Sequence, residues 1–379
     1  MQSTSGQYFA SLDSVRALAA LLVFIWHFNH FDEGQLDPPL APFVSLLTEG
    51  HTGVAVFMTL SGYLFARIIG DGTIRFGRFL TNRALRLLPL LCVSFAGFYV
   101  LALWQAQVTD LATASLVTSA YVSSIVEGLI FPVAPGGAWS ITVEAHFYLL
   151  IPILIPIIRH RIWTILPLII VMIALRYGLW ERNGSIQYAA YFSIIGRLDQ
   201  FLFGMWAAYW GSRAFPKRHV GWQLLFVFVL FNLLWWQFDR LGGFYGNGGY
   251  PSSSAIWIVL TTIEGLFFAP MIYMVENLNL SKRNRFIRWT APIGRWSYSI
   301  YLLHFFFVFA MATAIDRSVF NLENNGAVLL VGLVCFAATA AISALSYRLI
   351  ERPFLQFRLS YLSERSALPG EGRHGVSDS

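Results

Sequence analysis

Charged residues are scarce in this chain. Only 12% of its 379 residues are Asp, Glu, Lys or Arg, whereas 56% are hydrophobic and 16% are aromatic. Soluble globular domains carry about twice that share of charge, roughly 25%. The composition therefore excludes an ordinary soluble domain and indicates a protein that crosses a membrane many times.

Cysteine is nearly absent as well. Cys92 and Cys335 each lie inside an apolar run, so they predict neither a disulfide framework nor a metal site. The chain also has no glycine-rich phosphate loop, no metal-ligand spacing and no serine-elbow sequence. No basic region precedes the first apolar run, which we therefore expect to be an uncleaved span rather than a signal peptide.

The excess of positive charge, +6 at pH 7, could suggest a nucleic-acid partner. The basic residues, however, lie in short clusters between apolar runs. That arrangement is typical of cytoplasmic membrane loops. We expect membrane lipids as partners and no nucleic acid.

Ten apolar runs have about the length that a helix needs to cross a bilayer. They are residues 12–30, 53–69, 84–104, 140–158, 162–180, 193–211, 220–238, 255–275, 296–315 and 326–349. An eleventh apolar segment, 111–131, is rich in Ser and Thr and contains Glu127. With ten spans every basic cluster falls on one side, which places both termini in the cytoplasm.

If residues 111–131 also crossed, the later basic clusters would all lie outside. We therefore expect a re-entrant or interfacial segment that faces outward, which a membrane tolerates if the segment is buried in protein. The prediction is an all-α polytopic membrane protein of about ten transmembrane helices, with a single domain over residues 1–358. Residues 359–379 are polar and contain Gly and Pro, which predicts a disordered cytoplasmic tail.

The first span carries a cation and a titratable ring. Arg16 and His27 are eleven residues apart, so in a helix they share one stripe and lie about 16 Å apart along the axis. Arg16 could simply extend to the headgroups. For His27 we favour proton transfer over a structural core position, because imidazole titrates near neutral pH and ionisable groups are costly in a membrane.

Two further arginines, Arg83 and Arg86, stand at i and i+3 where the third span begins, so they share a helix face. They could clamp a phosphorylated ligand, or they could be positive-inside residues that touch lipid headgroups. Spacing alone leaves both readings open. His304 is about 12 Å into the ninth span, near the depth of His27. The alternative to a functional role is again a core histidine that is hydrogen-bonded within the bundle.

The remaining charged residues divide into three groups. Glu144, at the outer start of the fourth span, could act as a general base, orient a histidine, or favour a helix N-terminus electrostatically. For the other intramembrane charges we favour buried Arg–carboxylate pairs. Those residues are Arg176, Arg197, Asp199 and Glu264. Glu351 is expected in a cytoplasmic ion-pair cluster with Arg348 and Arg352.

Seven segments in the same order resemble the acyltransferase-3 family of integral membrane acyltransferases, which O-acylate surface sugars, antibiotics and related acceptors. They are LDSVRALAALLVFIWH, with the family's Arg-x10-His; GVAVFMTLSGYL; FLTNRALRLLPL, with its Arg-x-x-Arg; AWSITVEAHFYLLIP, with its Trp-Ser-x-x-x-Glu; GRLDQFLFGM; SYSIYLLHFF; and YRLIERPF. Where the family often has Glu and Gln after the last Glu of the fourth segment, this chain has Ala145 and His146.

The resemblance implies site roles for particular residues. Catalysis is implied for His27 and Glu144, and donor binding for Arg16, Arg83 and Arg86. Supporting positions with less defined roles are Arg197, Ser297, Tyr298, His304 and Glu351. Some family members append a soluble transferase domain, and we expect this chain to end before one, so that transfer is completed within the membrane unit or by a separate protein.

The function implied by the resemblance is transfer of an acetyl group from cytoplasmic acetyl-CoA to a hydroxyl of an extracytoplasmic or lipid-linked carbohydrate, in a bacterial inner membrane and without a metal. Donor phosphates would bind Arg83 and Arg86, and His27 would take either the hydroxyl proton or the acetyl group. Other readings are a different small-metabolite acceptor, another acyl group such as succinyl, a secondary transporter, or a non-catalytic partner of an enzyme. No paired half-chain repeat supports a transporter.

Overall fold

The computed structural model is almost entirely helical and describes residues 9–30, 42–131, 134–246, 250–278, 280, 284–318 and 325–363. Its helices are α1 Ala10–Asn29, α2 Pro42–Thr48, α3 Gly53–Ile69, α4 Phe76–Gln105, α5 Leu111–Glu127, α6 Trp139–His160, α7 Ile165–Asn183, α8 Gln187–Phe192, α9 Ile194–Ala214, α10 Val220–Arg240, α11 Leu260–Asn277, α12 Arg285–Arg295, α13 Ser297–Leu303, α14 Val308–Ser318, α15 Asn325–Ser346 and α16 Arg352–Leu355. Short 3-10 turns cover Gly50–Thr52, Ile162–Thr164, Ala255–Ile258 and His304–Phe306, and a π turn covers Tyr347–Glu351. Strands β1 Thr73–Ile74 and β2 Leu362–Ser363 pair antiparallel.

Within the described residues, seven helices are long and apolar enough to cross a membrane. An eighth candidate is the pair α13 and α14, which are bent by 55° at a break after the 3-10 turn. Each of the ten predicted spans overlaps a helix. The helices α9 and α11 have span length but are not among the seven, because they carry charged side chains in their interiors. The fold is that of a polytopic membrane protein.

The centre of the bundle is a close contact between α3 and α9. A Cβ on Gly62 of α3 would lie 2.1 Å from the carbonyl oxygen of Phe201, and a Cβ on Gly204 of α9 would lie 2.0 Å from that of Thr59. Both glycines therefore let two backbones touch, as small residues do between membrane helices. This packing fixes α3, which forms one wall of the candidate active site.

Buried ion pairs join the helices around that centre. Arg176 of α7 lies 2.8 Å from Asp199 of α9, and Arg197 of α9 lies 3.3 Å from Glu264 of α11. All four side chains are almost fully buried. The prediction of buried Arg–carboxylate pairs is confirmed, and the pairs cross between helices that are distant in sequence. Arg197 thereby has a structural partner on α11.

The helix α1 packs on its other side against the last helices of the chain. Phe24 and Phe28 of α1 share a buried apolar cluster with Ile300, Val308 and Phe336. The contact aligns the second half of α1 with the break between α13 and α14. It brings His27 and His304 to the same level.

The segment predicted to be re-entrant or interfacial forms one continuous helix, α5. It packs along α4 through two hydrogen bonds: the Tyr99 and Thr118 hydroxyls are 2.7 Å apart, and the Tyr121 hydroxyl donates to the Phe95 carbonyl at 2.6 Å. None of its residues is buried. Burial in protein, the condition under which a membrane tolerates a re-entrant segment, is therefore not met along α5, which contacts the bundle along one face only.

Glu351 also differs from its prediction. Its buried carboxylate accepts a hydrogen bond from Ser299, and within the described chain it forms no ion pair with Arg348 or Arg352. The reason is the π turn at Tyr347–Glu351, which directs Glu351 inward against α13 while both arginines remain exposed. The predicted ion-pair cluster is wrong.

The end of the described chain returns to the start of α4. The Asn82 side chain bonds both backbone groups of Leu359, donating to its oxygen at 2.7 Å and accepting from its nitrogen at 2.8 Å. The predicted tail starts at residue 359, but residues 359–363 are placed here, with β2 paired to β1. Residues 364–379, the rest of that tail, lie outside the described residues.

Candidate active site

A cavity between α1, α3, α4, α6 and α13 collects most of the charged residues that the sequence singles out. Arg16, Arg83, Arg86 and Glu144 all line it, and so does a fourth arginine, Arg358. Ser297 and Tyr298, from the start of α13, contribute to the same wall. We call this space the arginine cavity. The roles of these cavity-lining residues remain predictions, but helices that are far apart in sequence bring the residues together.

Arg16 has a partner that the sequence reasoning missed. Its Nη1 lies 2.6 Å from Oδ1 of Asp13, a residue one helical turn earlier that is only 1% exposed. The i, i+3 spacing in α1 is the signal that could have revealed this pair. Arg16 is therefore fixed in orientation and brings a neutral pair, rather than a lone cation, to the cavity.

Arg83 is held by aromatic rings. Its guanidinium lies 5.1 Å from the centre of the Phe65 ring and 5.6 Å from that of Phe79, both of which are cation–π distances. Its buried Nε has no hydrogen-bond partner among the described residues. Because α4 begins at Phe76, earlier than predicted, Arg83 lies inside the helix, and Arg86 follows on the same face.

Arg358 was not predicted as a site residue, since the sequence shows it only as one of the basic residues after the last span. Its Nε and Nη2 are buried and have no hydrogen-bond partner among the described residues. Burial, together with the charges of Arg86 and Arg83, lowers the pKa of Arg358 to about 10. Only the return of the chain to Asn82 places it here, and no local pattern signals that contact.

Glu144 lies one and a half turns into α6 and accepts a hydrogen bond from the Ser61 hydroxyl at 2.8 Å. Tyr148, one turn later, lines the same wall. Glu144 therefore lies inside the arginine cavity, on the wall formed by α3 and α6. Ser61 belongs to the GVAVFMTLSGYL segment, but its contact with Glu144 spans 83 residues and was missed.

The two histidines form a pair away from that cavity. Nε2 of His304 lies 3.3 Å from Nδ1 of His27, which is also 2.9 Å from the Val23 carbonyl oxygen. Nδ1 of His304 lies 3.2 Å from the Ile300 carbonyl oxygen. A proton on each Nδ1 satisfies all three contacts, because His304 then donates to Ile300 and accepts from His27. Nε2 of His27 is left unprotonated.

Aromatic rings surround the histidine pair. The Phe305 ring centre is 4.7 Å from that of His27 and 4.2 Å from that of His304. The loop before α6 makes room for it: Gly137 has φ +74°, and a Cβ there would lie 2.2 Å from the Phe305 ring. The tight Gly136–Gly137 loop therefore positions a ring that packs against His27.

Tyr301 lies between the arginine cavity and the histidine pair. It lines the cavity, and its ring centre is 5.8 Å from that of His304. Its hydroxyl donates to the Gly137 carbonyl at 3.0 Å. His27 itself does not line the cavity in the described structure, so the anion-binding groups and the imidazole form two adjoining compartments.

The arrangement has a defined chemical capacity. Guanidinium N–H groups bind phosphate oxygens in charge-assisted, often bidentate hydrogen bonds. An imidazole with a free nitrogen can accept a proton or act as a nucleophile. Of the predicted supporting residues, His304 touches His27, and Ser297 and Tyr298 line the cavity. Arg197 pairs with Glu264 on α11, whereas Glu351 accepts a hydrogen bond from Ser299 and lies near Arg86 and Arg358.

Comparison with known proteins identifies the family that the chain matches. A family model of the acyltransferase-3 type, described as an acyltransferase domain, matches residues 9–348. "Putative O-acetyltransferase SAR0937" of Staphylococcus aureus strain MRSA252 is 25% identical over 394 residues, covering 95% of this chain and 59% of the relative. O-acetyltransferase OatA of S. aureus strain NCTC 8325 is 25% identical over 382 residues, covering 92% and 57%. The chain thus spans less than two thirds of the length of these relatives. No solved structure matches it.

Proposed function

This chain belongs to the acyltransferase-3 family, and from that membership we propose that it is a membrane O-acyltransferase. The proposed reaction moves an acetyl group from cytoplasmic acetyl-CoA to a hydroxyl of an extracytoplasmic or lipid-linked carbohydrate. The proposed location is the inner membrane of a bacterium. The names of the relatives support acetyl as the acyl group.

The observation that carries the proposal is the group of arginines in one cavity. Arg83 and Arg358 each present buried N–H groups without a hydrogen-bond partner in the described chain, next to Arg86. Burying such donors unpaired is costly, and an anion would satisfy them. Acetyl-CoA carries its phosphates at one end and its thioester at the far end of a long arm. Phosphates at the arginines would leave that arm to run toward His27.

The arm would pass Glu144. The arm of CoA contains two amide N–H groups, and the Glu144 carboxylate is held in place by Ser61 on the cavity wall. Carboxylates are strong acceptors for such donors. We assign Glu144 to donor positioning by direct contact, with Arg16 fixed beside the same wall by Asp13.

His27 performs the chemistry in this proposal. In the direct route, Nε2 takes the proton of the acceptor hydroxyl while the oxygen attacks the acetyl carbonyl; the C–S bond breaks, and the departing thiolate receives the proton from His27. In the two-step route, Nε2 attacks the carbonyl, the C–S bond breaks and CoA departs as the thiolate; the acceptor oxygen then attacks the acetyl group on His27, the N–C bond breaks, and the hydroxyl proton passes to the thiolate. In both routes, the contacts of Nδ1 of His27 with the Val23 carbonyl and with His304 favour the tautomer whose Nε2 is free.

The experiment uses the full chain reconstituted in lipid vesicles with radiolabelled acetyl-CoA and a carbohydrate acceptor. Label should reach the acceptor, and His27→Ala should abolish transfer. The matched control is His146→Ala, since His146 is only half-buried and, among the described residues, its side chain bonds the Leu129 carbonyl away from the cavity. Transfer that persists in His27→Ala would overturn the assignment. Unlabelled succinyl-CoA added in competition tests whether the acyl pocket is specific for acetyl.

A further inference from the structure

The last described residues form a strap across the start of α4. We define the C-terminal strap as residues 356–363. Asn82, which is fully buried, clamps both backbone groups of Leu359, and the Arg75 backbone N–H donates to the Tyr361 carbonyl at 2.8 Å. These contacts give the backbone of the strap a defined position on the helix.

The strap is also a wall of the arginine cavity. Arg358 and Tyr361 of the strap line it, and so does Asn82, the residue that anchors the strap. A side chain anchored on α4 thus brings a segment from the far end of the sequence over the mouth where Arg83 and Arg86 lie. No other segment after residue 301 contributes to this cavity in the described chain.

The charges in this wall are not balanced by the strap itself. Arg358 faces Arg83 and Arg86, and burial together with these two charges lowers its pKa to about 10. Its Nε and Nη2 have no hydrogen-bond partner among the described residues. Like charges at close range oppose docking of the strap, and a polyanion between them would reverse that effect.

We propose that the C-terminal strap is part of the donor site: Arg358 binds phosphate oxygens of the CoA donor together with Arg83 and Arg86, and the bound phosphates hold the strap against α4. This inference rests on the proposed function, because it takes a CoA thioester as the ligand. It adds a third arginine and a moving part to the site. Donor binding and strap docking are then linked, each favouring the other.

The competing explanation is that Arg358 only helps to attach the strap. The two explanations can be separated because the attachment is made by other groups, chiefly Asn82 and the β1–β2 pair. Replacing Arg358 should leave the strap docked by these contacts but remove its phosphate ligand. Replacing Asn82 should release the strap with Arg358 intact.

The first test measures CoA binding to the purified full chain in nanodiscs by calorimetry. Arg358→Gln should weaken binding by about tenfold to a hundredfold, the value of one or two charge-assisted hydrogen bonds. Arg352→Gln, an exposed arginine six residues earlier, removes the same charge and should bind as the wild type does. Equal CoA affinity in Arg358→Gln and wild type would overturn the strap proposal while leaving the donor proposal intact. Absence of CoA binding by the wild type would instead defeat the donor proposal and, with it, this one.

The second test follows amide hydrogen exchange in residues 356–363. CoA should slow exchange there in the wild type, and this protection should shrink in Arg358→Gln. Asn82→Ala should raise exchange without CoA and weaken CoA binding, although it removes no charge. Exchange that is identical with and without bound CoA would refute the link between ligand and strap.

Discussion

Nε2 of His304 lies 3.3 Å from Nδ1 of His27, a contact between residues that are 277 positions apart in the sequence. It joins the first helix to the break between α13 and α14. Together with the Val23 carbonyl, which lies 2.9 Å from the same nitrogen, the contact favours a proton on Nδ1 of His27 and leaves Nε2 with its lone pair. His304 therefore helps to orient the His27 ring.

The first prediction concerns this contact. His304→Phe should lower kcat by about a hundredfold and leave the donor KM nearly unchanged, because His27 keeps the Val23 carbonyl but loses the second contact that orients its ring. His304→Gln should restore part of the rate, since its side-chain oxygen can accept the same proton. Steady-state kinetics on reconstituted protein measure both values. A donor KM that rises together with the fall in kcat would show that His304 serves binding instead.

The second prediction separates donor binding from membrane topology. Arg83→Ala combined with Arg86→Ala should raise the donor KM by at least about tenfold with a smaller effect on kcat, because two phosphate-binding guanidiniums are lost. Arg161→Ala serves as control, since Arg161 is an exposed arginine after α6. An unchanged KM in the double variant would mean that the two arginines only respond to lipid headgroups.

The third prediction tests the loop that supports the histidine pair. Gly137→Ala should destabilise the protein by about 1–3 kcal/mol and reduce kcat, because φ +74° is unfavourable for alanine and the added methyl displaces Phe305 from His27. Gly178→Ala is the control: it lies in α7, and a Cβ there meets nothing within 4 Å. Thermal unfolding and kcat are measured for both. Equal behaviour of the two variants would contradict the role of the loop.

The fourth prediction is a pH effect on stability. Glu49, just before the turn that leads into α3, is buried and accepts a hydrogen bond from the Phe244 N–H at 3.2 Å. Burial raises its pKa to about 7, against the opposing effects of nearby His30 and that N–H group. In the unfolded chain the carboxyl ionises near its ordinary value, about 4.3. Between these values only the unfolded state has lost the proton, so stability is greatest below that range and falls as pH rises toward 7.

Glu49→Gln should remove this component, so that its melting temperature declines less than that of the wild type between pH 4.5 and 7. Glu127→Gln is a suitable control, because Glu127 is exposed at the end of α5. The measurement is the melting temperature of detergent-solubilised protein across that range. Parallel curves for wild type and Glu49→Gln would contradict the raised pKa.

The helices of the fold could be predicted because a bilayer requires long apolar runs, and each predicted span overlaps a helix. The depth of His27 and His304 followed from counting residues along two helices. Buried pairing of Arg176 and Arg197 followed from the cost of an isolated charge in a membrane. These inferences depend only on helix geometry or on the free-energy cost of placing apolar or charged groups in the wrong medium.

The rest depends on contacts between distant segments. Arg358 enters the cavity only because Asn82 binds Leu359, a contact over 277 residues that no spacing indicates. Glu351 turns inward because of a π turn, which adds a residue to one helical turn and so rotates the side chains after it around the helix axis. The exposed position of α5 was missed because the sequence of a helix does not show how many other helices pack against it.

The 55° break between α13 and α14 occurs at Phe307, directly after the 3-10 turn that His304 begins. In a continuous helix the backbone carbonyl and N–H groups bond one another, so none is left for other groups in the bilayer interior. A broken helix leaves a few of these backbone groups free, all at the depth of the break. The imidazole pair lies at that level, enclosed by Phe305 and its aromatic neighbours. The proton transfer proposed for His27 would then require only a small polar region inside the membrane. We therefore expect the membrane to stay impermeable to ions during the reaction.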